Sequence, residues 1–524
     1  MQIAYSFDKV RSRWRVSGHV AAAFLACALV VTPLYWETPF EWLIALLGLS
    51  WLLWQSASCQ RWWVRGSYWA LLAVMTGTQY VGIRNGFGIY GIYVVLACCI
   101  AGVAHWLVMS LHGYLAPSWR IYLLTAPLAL VAAEALSKPL LFWEDFSIMV
   151  VSISGGQVAS PLMPVAAFSG QSAVTLVTAF AATAVALMCL QCYRASLGVL
   201  AGVSGLLWLS VTVYPLVPET NAVSLRVGLA QGNWTDEELD DLDMLSVVLG
   251  RYRDLHQQAA AADLELTVFP ENALPGVRTQ ATLASWEGDL HGLPPALFGS
   301  FFGEPHPLQR PRIRSAAVVQ SFVYPNWFTD DYRKLTSSAL LWDGRDFTKV
   351  YEKRKLVPFY ETFNTGQKLP LAQIAGQPFG VLICYDSVMT SIVLEHLRQG
   401  ATFLVVPSNT NFFEGSPTPR SHLRVAQLVA ASSRKYVGHV SHQGPSGIAA
   451  PDGRLVVRSQ PQQVQLIHAE IVPNTVMTLY ARAGEWLAAF ALVVLLLWAA
   501  YRGVQHMALT NAGHAVKRVL SRLH

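Results

Sequence analysis

The sequence predicts a polytopic α-helical membrane domain of about eight spans joined to a water-exposed α/β domain. The 524 residues are 53% hydrophobic and only 13% charged, whereas soluble proteins carry about 25% charged residues. The 32 acidic and 37 basic residues lie mostly outside the apolar runs. This composition excludes a disordered, collagen-like or small disulfide-rich protein. The net charge of +5 comes largely from the chain ends and therefore does not predict nucleic-acid binding.

Eight apolar runs have about the length that a helix needs to cross a bilayer. They lie near residues 17–36, 41–55, 67–84, 87–110, 120–137, 171–190, 195–215 and 486–501. A cleaved signal peptide is the competing interpretation of the N-terminus, because basic residues precede its apolar run. We reject it because that run is too long and further spans follow.

Basic residues predict the orientation of these spans. Before the first span they are Lys9, Arg11, Arg13 and Arg15, and after the last span they are Arg502, Lys517, Arg518 and Arg522. Cytoplasmic loops are enriched in basic residues, so both chain ends are expected in the cytoplasm of a bacterium. We therefore predict a membrane domain over residues 1–218, a periplasmic domain over 222–475, a last span over 484–502 and a cytoplasmic tail over 503–524.

The predicted periplasmic domain alternates strand-like and helix-like segments, as in layered α/β proteins. Strands are expected at residues 225–230, 264–269, 316–323, 339–342, 380–384, 403–407, 437–441 and 464–471. Amphipathic helices are expected at residues 236–262 and 387–398. Residues 274–314, rich in Gly, Pro and aromatic residues, are expected to form a long irregular loop of the kind that serves as a lid or binding arm.

The cysteines divide between the two parts of the chain. Six lie in the apolar part, where thiols commonly act as small apolar side chains: Cys27, Cys59, Cys98, Cys99, Cys189 and Cys192. The Cys-x-x-Cys pair formed by the last two is best explained as coincidence, since no second pair accompanies it. Cys384 is alone in the periplasmic domain, so it is either buried and inert or a reactive thiol.

Three segments carry groups capable of catalysis. Residues 269–273 read Phe-Pro-Glu-Asn-Ala, residues 351–361 read Tyr-Glu-Lys-Arg-Lys-Leu-Val-Pro-Phe-Tyr-Glu, and residues 380–386 read Gly-Val-Leu-Ile-Cys-Tyr-Asp. Each segment alone has a structural explanation: a capping acid, a solvated basic face or a buried cysteine. A thiol between a strand and a helix would, however, feel the positive end of the helix dipole, which favours the thiolate.

Glu, Lys and Cys in this order resemble the catalytic set of the nitrilase superfamily. Together with the spans, the chain resembles the apolipoprotein N-acyltransferase family. The resemblance rests on Pro-Glu-Asn-Ala around Glu271, on Tyr-x-Lys-x-x-Leu-Val-Pro-Phe-x-Glu from 351 to 361 and on Ile-Cys-Tyr-acid at 383–386, with looser matches at 160–162 and 408–409. It implies an αββα sandwich, no cofactor and no metal. It also implies two partners, a phospholipid acyl donor and a diacylated lipoprotein acceptor.

The resemblance also implies roles. Cys384 would be the nucleophile, Glu271 the general base and Lys353 the cation that stabilises the oxyanion. Supporting residues would be Glu361, Tyr385 and Asp386, and substrate contacts would be Asn409, Phe412 and Phe413. Further aromatic candidates for lipid contact are Trp286, Phe298, Phe301, Phe302, Trp327 and Phe328. The enzyme is expected to act as a monomer in the bacterial inner membrane.

The chain also departs from the family pattern, which leaves two alternatives open. Tyr360 stands in place of a glycine, Asp386 and Ser432 in place of glutamates, and Asn-Thr-Asn-Phe-Phe at 409–413 in place of Asn-Asp-Ala-Trp-Phe. A membrane-bound amidase or hydrolase, or a conjugal-transfer-associated membrane protein with a nitrilase-like domain, would have similar sequences. Structural roles are expected for the intramembrane Glu134 and for His422, His439 and His442.

Overall fold

The computed structural model describes most of the chain. The described residues are 16–36, 40–77, 88–140, 153–216, 223–235, 238, 244–278, 290–302, 336–357, 361, 363–368, 370–413 and 416–520. They form a helical half, residues 16–216, and an α/β domain that is followed by a long C-terminal helix.

Apolar helices make up the helical half. They are α1 (Val16–Tyr35), α2 (Glu41–Ser58), α3 (Trp62–Gly77), α4 (Gly88–Leu115), α5 (Trp119–Leu140), α6 (Ala166–Cys189) and α7 (Tyr193–Val213). Five segments are long and apolar enough to cross a membrane, namely Val95–Leu115, Trp119–Ser137, Met163–Cys189, Tyr193–Val213 and Trp486–Gln505. Helices α1 to α3 lie at the positions of the other three predicted spans. Their described residues do not form segments that are both long enough and apolar enough to cross a membrane.

The α/β domain contacts the helical half through arginine side chains. Arg420 donates to the main-chain oxygen of Tyr35 at the end of α1 (2.8 Å). Arg424 forms a buried ion pair with Glu41 at the start of α2 (2.8 Å). Arg434 donates to the main-chain oxygen of Tyr214, just after α7 (3.1 Å). The end of α1, the start of α2 and the end of α7 therefore lie on the face of the helical half that meets the α/β domain.

Glu134, the buried acid of α5, has partners on neighbouring segments. Its Oε2 accepts a hydrogen bond from Thr175 of α6 (2.9 Å), and its Oε1 accepts one from the main-chain N–H of Ile153 (3.4 Å). Polar side chains inside a membrane commonly link helices in this way. The structure thus gives this carboxyl the pairing role expected from the sequence.

Two sheets form the centre of the α/β domain. The strands of the first sheet are β1 (Leu225–Gln231), β2 (Leu266–Val268), β3 (Leu274–Arg278), β4 (Ala296–Phe302), β5 (Thr336–Trp342), β6 (Phe347–Glu352) and β13 (Gln465–Ile471). Their order is β13-β1-β2-β4-β5-β6, with β3 paired to β4. The strands of the second sheet are β7 (Ala372–Ile374), β8 (Gln377–Val381), β9 (Phe403–Pro407), β10 (Val437–Val440), β11 (Gly447–Ala449) and β12 (Leu455–Arg458). Their order is β12-β11-β10-β9-β8-β7.

Alternating side chains along β9 show how the layers pack. Phe403 and Val405 enter the core between the sheets, whereas Leu404 and Val406 enter the core beneath the helices of the second sheet. Because both faces of such a strand are buried, its sequence is a continuous apolar run. Helix α8 (Leu245–Ala261) covers the first sheet, and α9 (Thr390–Arg398) and α10 (Thr418–Ser433) cover the second. The domain is the expected αββα sandwich.

A short helix, α11 (Leu479–Ala483), and a long one, α12 (Trp486–Leu520), end the described chain. Trp486 donates its indole N–H to the main-chain oxygen of Phe168 in α6 (2.9 Å). Ser172 of α6 likewise donates to Glu485, immediately before α12 (2.6 Å). The last helix is thereby tied to the helical half where it leaves the α/β domain.

The predicted loop at residues 274–314 is partly wrong. It contains β3 and β4, which are strands of the first sheet. Gly299 of β4 contributed to the glycine content that suggested a loop. The position requires glycine for another reason: a Cβ there would lie 2.6 Å from the Glu271 Cα. The predicted strand at 316–323 lies outside the described residues. The helix predicted at 236–262 is observed from Leu245 to Ala261, and most of residues 236–243 lie outside the described residues.

Candidate active site

The catalytic candidates meet because they follow strands that run in the same sense within each sheet. Glu271 follows β2 and Lys353 follows β6; β2 is parallel to β4, and β6 is related to β4 through two antiparallel pairings. In the second sheet, Cys384 follows β8 and Asn409 follows β9, and these strands are parallel. Carboxyl ends of parallel strands are the usual place for α/β active sites.

Cys384 has an unusual backbone conformation. Its φ is +47°, a region that residues other than glycine seldom adopt. It begins a short 3₁₀ segment, Cys384–Val388, in which Ser387 donates its hydroxyl to the Cys384 main-chain oxygen (2.7 Å). The thiol points to the main-chain oxygen of Asn409, 3.7 Å away. Backbone strain of this kind clusters at functional sites.

Lys353 is a fully buried cation held by two carboxylates. Its Nζ lies 3.0 Å from Glu271 Oε1 and 2.5 Å from Glu361 Oε1, and its side chain is 0% exposed. Burial alone would lower the pKa of Lys353, but the charges of Glu271 and Glu361 raise it well above its ordinary value. The ammonium is therefore charged at neutral pH.

Glu271 is fixed by further contacts. Its Oε1 also accepts a hydrogen bond from Ser337 Oγ on β5 (2.9 Å). Asn272, the next residue, has φ +59°, so the chain turns sharply after the carboxylate. Sequence reasoning missed Ser337, because this serine belongs to no recognisable motif and lies 66 residues away along the chain.

Glu361 completes the charged cluster. Its second oxygen accepts the main-chain N–H of Val357 (2.7 Å), which fixes the carboxyl beside Lys353. Burial and the charge of Glu271 raise the pKa of Glu361 to about 7, although Lys353 opposes this shift. Two carboxyls that share one cation thus differ in their contacts, as expected when one is the base and the other a support.

Asp386 supports the segment that follows β6. It accepts hydrogen bonds from the Tyr351 hydroxyl (2.8 Å) and from the main-chain N–H groups of Arg354 (3.1 Å) and Lys355 (2.7 Å). Burial raises the pKa of Asp386 to about 6, against the opposing effect of Lys353 and these donors. Through these bonds the cysteine segment and the lysine segment are joined directly.

The expected effect of the helix dipole on Cys384 is wrong. Burial, together with the charges of Glu271 and Glu361, raises the pKa of the thiol to about 12, although Lys353 lowers it. The long helix that was to supply the dipole, α9, begins only at Thr390, after an extended Met389. At neutral pH Cys384 is therefore a thiol, which would need a base in order to act as a nucleophile.

We expect no thiolate at Cys384 at neutral pH. At pH 8 a pKa of about 12 instead of 9.0 makes the thiolate fraction about a thousandfold smaller. The far-ultraviolet thiolate absorbance of the wild type minus that of Cys384→Ser should stay flat up to pH 9. A step in this difference with a midpoint below pH 8 would contradict the assignment.

The remaining predicted residues have different outcomes. Tyr385 and Phe413 are buried beside the site in one apolar cluster with Val357. Phe298 stacks on Phe269 in the core, with 4.4 Å between ring centroids, so it does not contact lipid. The side chains of Phe301, Phe302 and Phe412 and the residues Trp286, Trp327, Phe328 and Tyr360 lie outside what the structure describes.

The other cysteines and the histidines lie away from any metal-binding arrangement within the described ranges. Cys27 and Cys98 are buried as expected of apolar packing, whereas Cys99 and Cys189 are exposed on the helical half. No group of three or more metal-binding side chains occurs among the described residues. His422, His439 and His442 are buried.

The sandwich and its strand-end site define a class of protein. The family model described as carbon-nitrogen hydrolase matches residues 226–480. An amidase from Nesterenkonia sp. is a similar solved structure, with 15% identity and a TM-score of 0.34 over 51% of this chain and 95% of that chain. By the match to the family model, residues 226–480 are a carbon-nitrogen hydrolase domain.

Curated relatives narrow the class. An apolipoprotein N-acyltransferase of Pseudomonas aeruginosa (strain LESB58) is 28% identical over 298 residues, 52% of this chain and 53% of the relative. The protein of the same name from Coxiella burnetii (strain RSA 493 / Nine Mile phase I) is 24% identical over 295 residues, 52% and 55% of the two chains. The matches span about half the length of these relatives. The chain is a divergent relative of the apolipoprotein N-acyltransferases.

Proposed function

We propose that this protein transfers an acyl chain from a phospholipid, through a thioester on Cys384, to the N-terminal amine of a diacylated lipoprotein. The relatives' name supports N-acyl transfer, and the contacts around Lys353 support a Glu-Lys-Cys triad. No cofactor is needed for this chemistry. The proposed location is the bacterial inner membrane, with the α/β domain on the periplasmic side.

One observation carries the proposal: the apolar surroundings of the site continue into the helical half. A single buried apolar cluster contains Tyr385, Val357 and Phe413 and also Ala97, Cys98 and Ala101. The last three belong to α4, within a segment apolar enough to cross a membrane. An enzyme whose donor and acceptor both carry acyl chains must work at the bilayer surface, and this cluster places apolar side chains between the site and a candidate membrane segment.

In the first half reaction, Glu271 takes the proton of the Cys384 thiol as sulfur attacks the ester carbonyl of the phospholipid. A tetrahedral intermediate forms, and the Lys353 ammonium stabilises its negative oxygen. The intermediate collapses by breaking the bond between the carbonyl carbon and the glycerol oxygen. Glu271 returns its proton to that oxygen, so lysophospholipid leaves and a thioester remains.

In the second half reaction, the lipoprotein amine attacks the thioester carbonyl and Glu271 takes a proton from the nitrogen. Lys353 again stabilises the oxyanion. The carbon–sulfur bond breaks, the proton passes to sulfur, and an amide is released together with the restored thiol. Glu271 thus acts first as base and then as acid in each half reaction. Its contact with Lys353 keeps the carboxyl beside the cation that stabilises the oxyanion.

The competing function is hydrolysis of the same intermediate by water, which the carbon-nitrogen hydrolase family name favours. An amidase or hydrolase would also form a thioester on Cys384, from an amide or from the phospholipid, but water would be the acceptor. A buried, apolar site disfavours water relative to an amine that the enzyme binds. The acceptor therefore has to be varied in the test.

The test uses the full-length protein in detergent with a phospholipid labelled in its acyl chain. We expect a labelled, hydroxylamine-sensitive protein adduct, and transfer of the label to a diacylated lipopeptide when that lipopeptide is added. The adduct should be absent from Cys384→Ser and unchanged in Cys189→Ser, whose thiol is exposed at the end of α6.

Two results would overturn the proposal. Release of free labelled acid at the same rate with and without lipopeptide would make the protein a hydrolase. An adduct that persists in Cys384→Ser would place the acyl chain elsewhere.

A further inference from the structure

His442, a residue outside the proposed triad, makes direct contact with the backbone of the proposed base. It follows β10, and its side chain is completely buried. Its Nε2 lies 2.6 Å from the main-chain oxygen of Glu271, and its Nδ1 lies 2.7 Å from the hydroxyl of Tyr252. The imidazole therefore bridges α8, which carries Tyr252, and the turn that carries the carboxylate.

The two partners determine which ring nitrogen carries the proton. Burial lowers the pKa of His442 to about 4, so the ring is neutral at physiological pH and has one N–H. The carbonyl oxygen of Glu271 can only accept, so the proton must be on Nε2. Nδ1 is then an acceptor, and the Tyr252 hydroxyl, which can donate or accept, donates to it. Tyr252 thus satisfies Nδ1 in the tautomer that the Glu271 main-chain oxygen requires.

The place of this bond matters because it holds the turn that carries Glu271 from the second sheet. Asn272 has a left-handed backbone, with φ +59°, and Gly299 packs against the turn from the first sheet. His442 reaches the same turn from the second sheet, and its own main-chain oxygen accepts the N–H of Asn233 (3.0 Å). The backbone of Glu271 is thereby held between the two sheets.

We propose that His442, which donates to the Glu271 main-chain oxygen and accepts from Tyr252, is a positioning residue that aims the Glu271 carboxylate at the Cys384 thiol. The inference rests on the proposed function, since it requires Glu271 to be the base. His442 does not touch the reacting atoms; it acts through the backbone of Glu271. A displacement of about 1 Å at a catalytic group costs about a hundredfold in rate.

Two amide substitutions at His442 distinguish the hydrogen bond to Glu271 from simple filling of the space around the ring. The side-chain nitrogen of Gln can reach the place of Nε2, whereas that of Asn reaches only the place of Nδ1. We therefore expect His442→Gln to keep the acylation rate constant within about tenfold of wild type, and His442→Asn to lose about a hundredfold in that rate constant at an unchanged half-saturating ester concentration. Tyr252→Phe, which leaves Nδ1 of His442 without its donor, should give an intermediate loss.

The readout is the burst of product from an activated ester such as a p-nitrophenyl acyl ester, which acylates Cys384 without requiring a phospholipid. Melting temperatures of all variants are measured beside it. Equal burst rate constants for His442→Gln and His442→Asn, or losses that follow the melting temperature alone, would overturn the positioning role.

The same assay distinguishes this inference from the proposed function. A wild type that bursts with the ester but never forms an adduct with phospholipid would refute phospholipid transfer and leave the His442 test valid. A wild type with no burst at all would overturn both, because Glu271 would then not be a working base.

Discussion

Replacing Lys353 with methionine should abolish acyl-enzyme formation and destabilise the α/β domain. The ammonium is fully buried between Glu271 and Glu361, and its removal leaves two carboxyls in contact range without a cation. Breaking a buried ion pair in this way costs about 3–5 kcal/mol. One carboxyl would take up a proton to relieve the repulsion, so the base would be partly neutralised while the oxyanion loses its only proposed cation.

The effect on rate is expected to be at least as large as that on stability. Loss of one oxyanion-stabilising group costs about 10²- to 10³-fold in kcat, and neutralisation of the base adds to this. Acylation by labelled phospholipid and thermal unfolding in detergent measure the two effects. Lys355→Met is the matched control, because that side chain is exposed two residues further on. A Lys353→Met protein that acylates at the wild-type rate would refute the proposed role.

Replacing Glu271 with glutamine should slow acylation by about 10²- to 10⁴-fold, the usual contribution of a general base. Because the pKa of Cys384 is raised to about 12, the thiol depends on this proton transfer at neutral pH. Unlike Lys353→Met, the change should leave the fold nearly intact, since Lys353 keeps Glu361 as an ionic partner.

Rapid-mixing measurements of the acylation step, with melting temperatures as the fold check, test this expectation. Glu470→Gln is the matched control for loss of one negative charge, because the Glu470 side chain is exposed on strand β13. An unchanged acylation rate in Glu271→Gln would move the role of base to Glu361, the other carboxyl in contact with Lys353.

Cys384, Glu271 and Lys353 could be named from the sequence because each stands in a short motif that resembles those of the nitrilase superfamily. That resemblance predicted that they act together, although Glu271 and Lys353 follow strands of the first sheet and Cys384 follows a strand of the second. Ser337 and His442 could not be predicted in this way. They contact Glu271 from 66 and 171 residues away along the chain, and no local pattern marks either of them.

The strand assignments show the same division. The fully apolar β9 was predicted because burial on both faces leaves a continuous apolar run. The glycine-containing β4 was mistaken for a loop. Its Gly299 is required by the close approach of the Glu271 backbone and not by a local backbone conformation. A contact between distant segments is invisible to a window of neighbouring residues.

By itself the sequence determined that apolar helices accompany a layered α/β domain, and it identified the thiol, the lysine and the acids of the site. Hydropathy and strand periodicity are local properties, so the order of residues encodes them directly. Only the tertiary structure decided that Cys384 rests as a thiol, that Lys353 is shared by two carboxylates and that His442 holds the backbone of Glu271. These outcomes depend on burial and on partners from distant segments, which come together only when both sheets have formed.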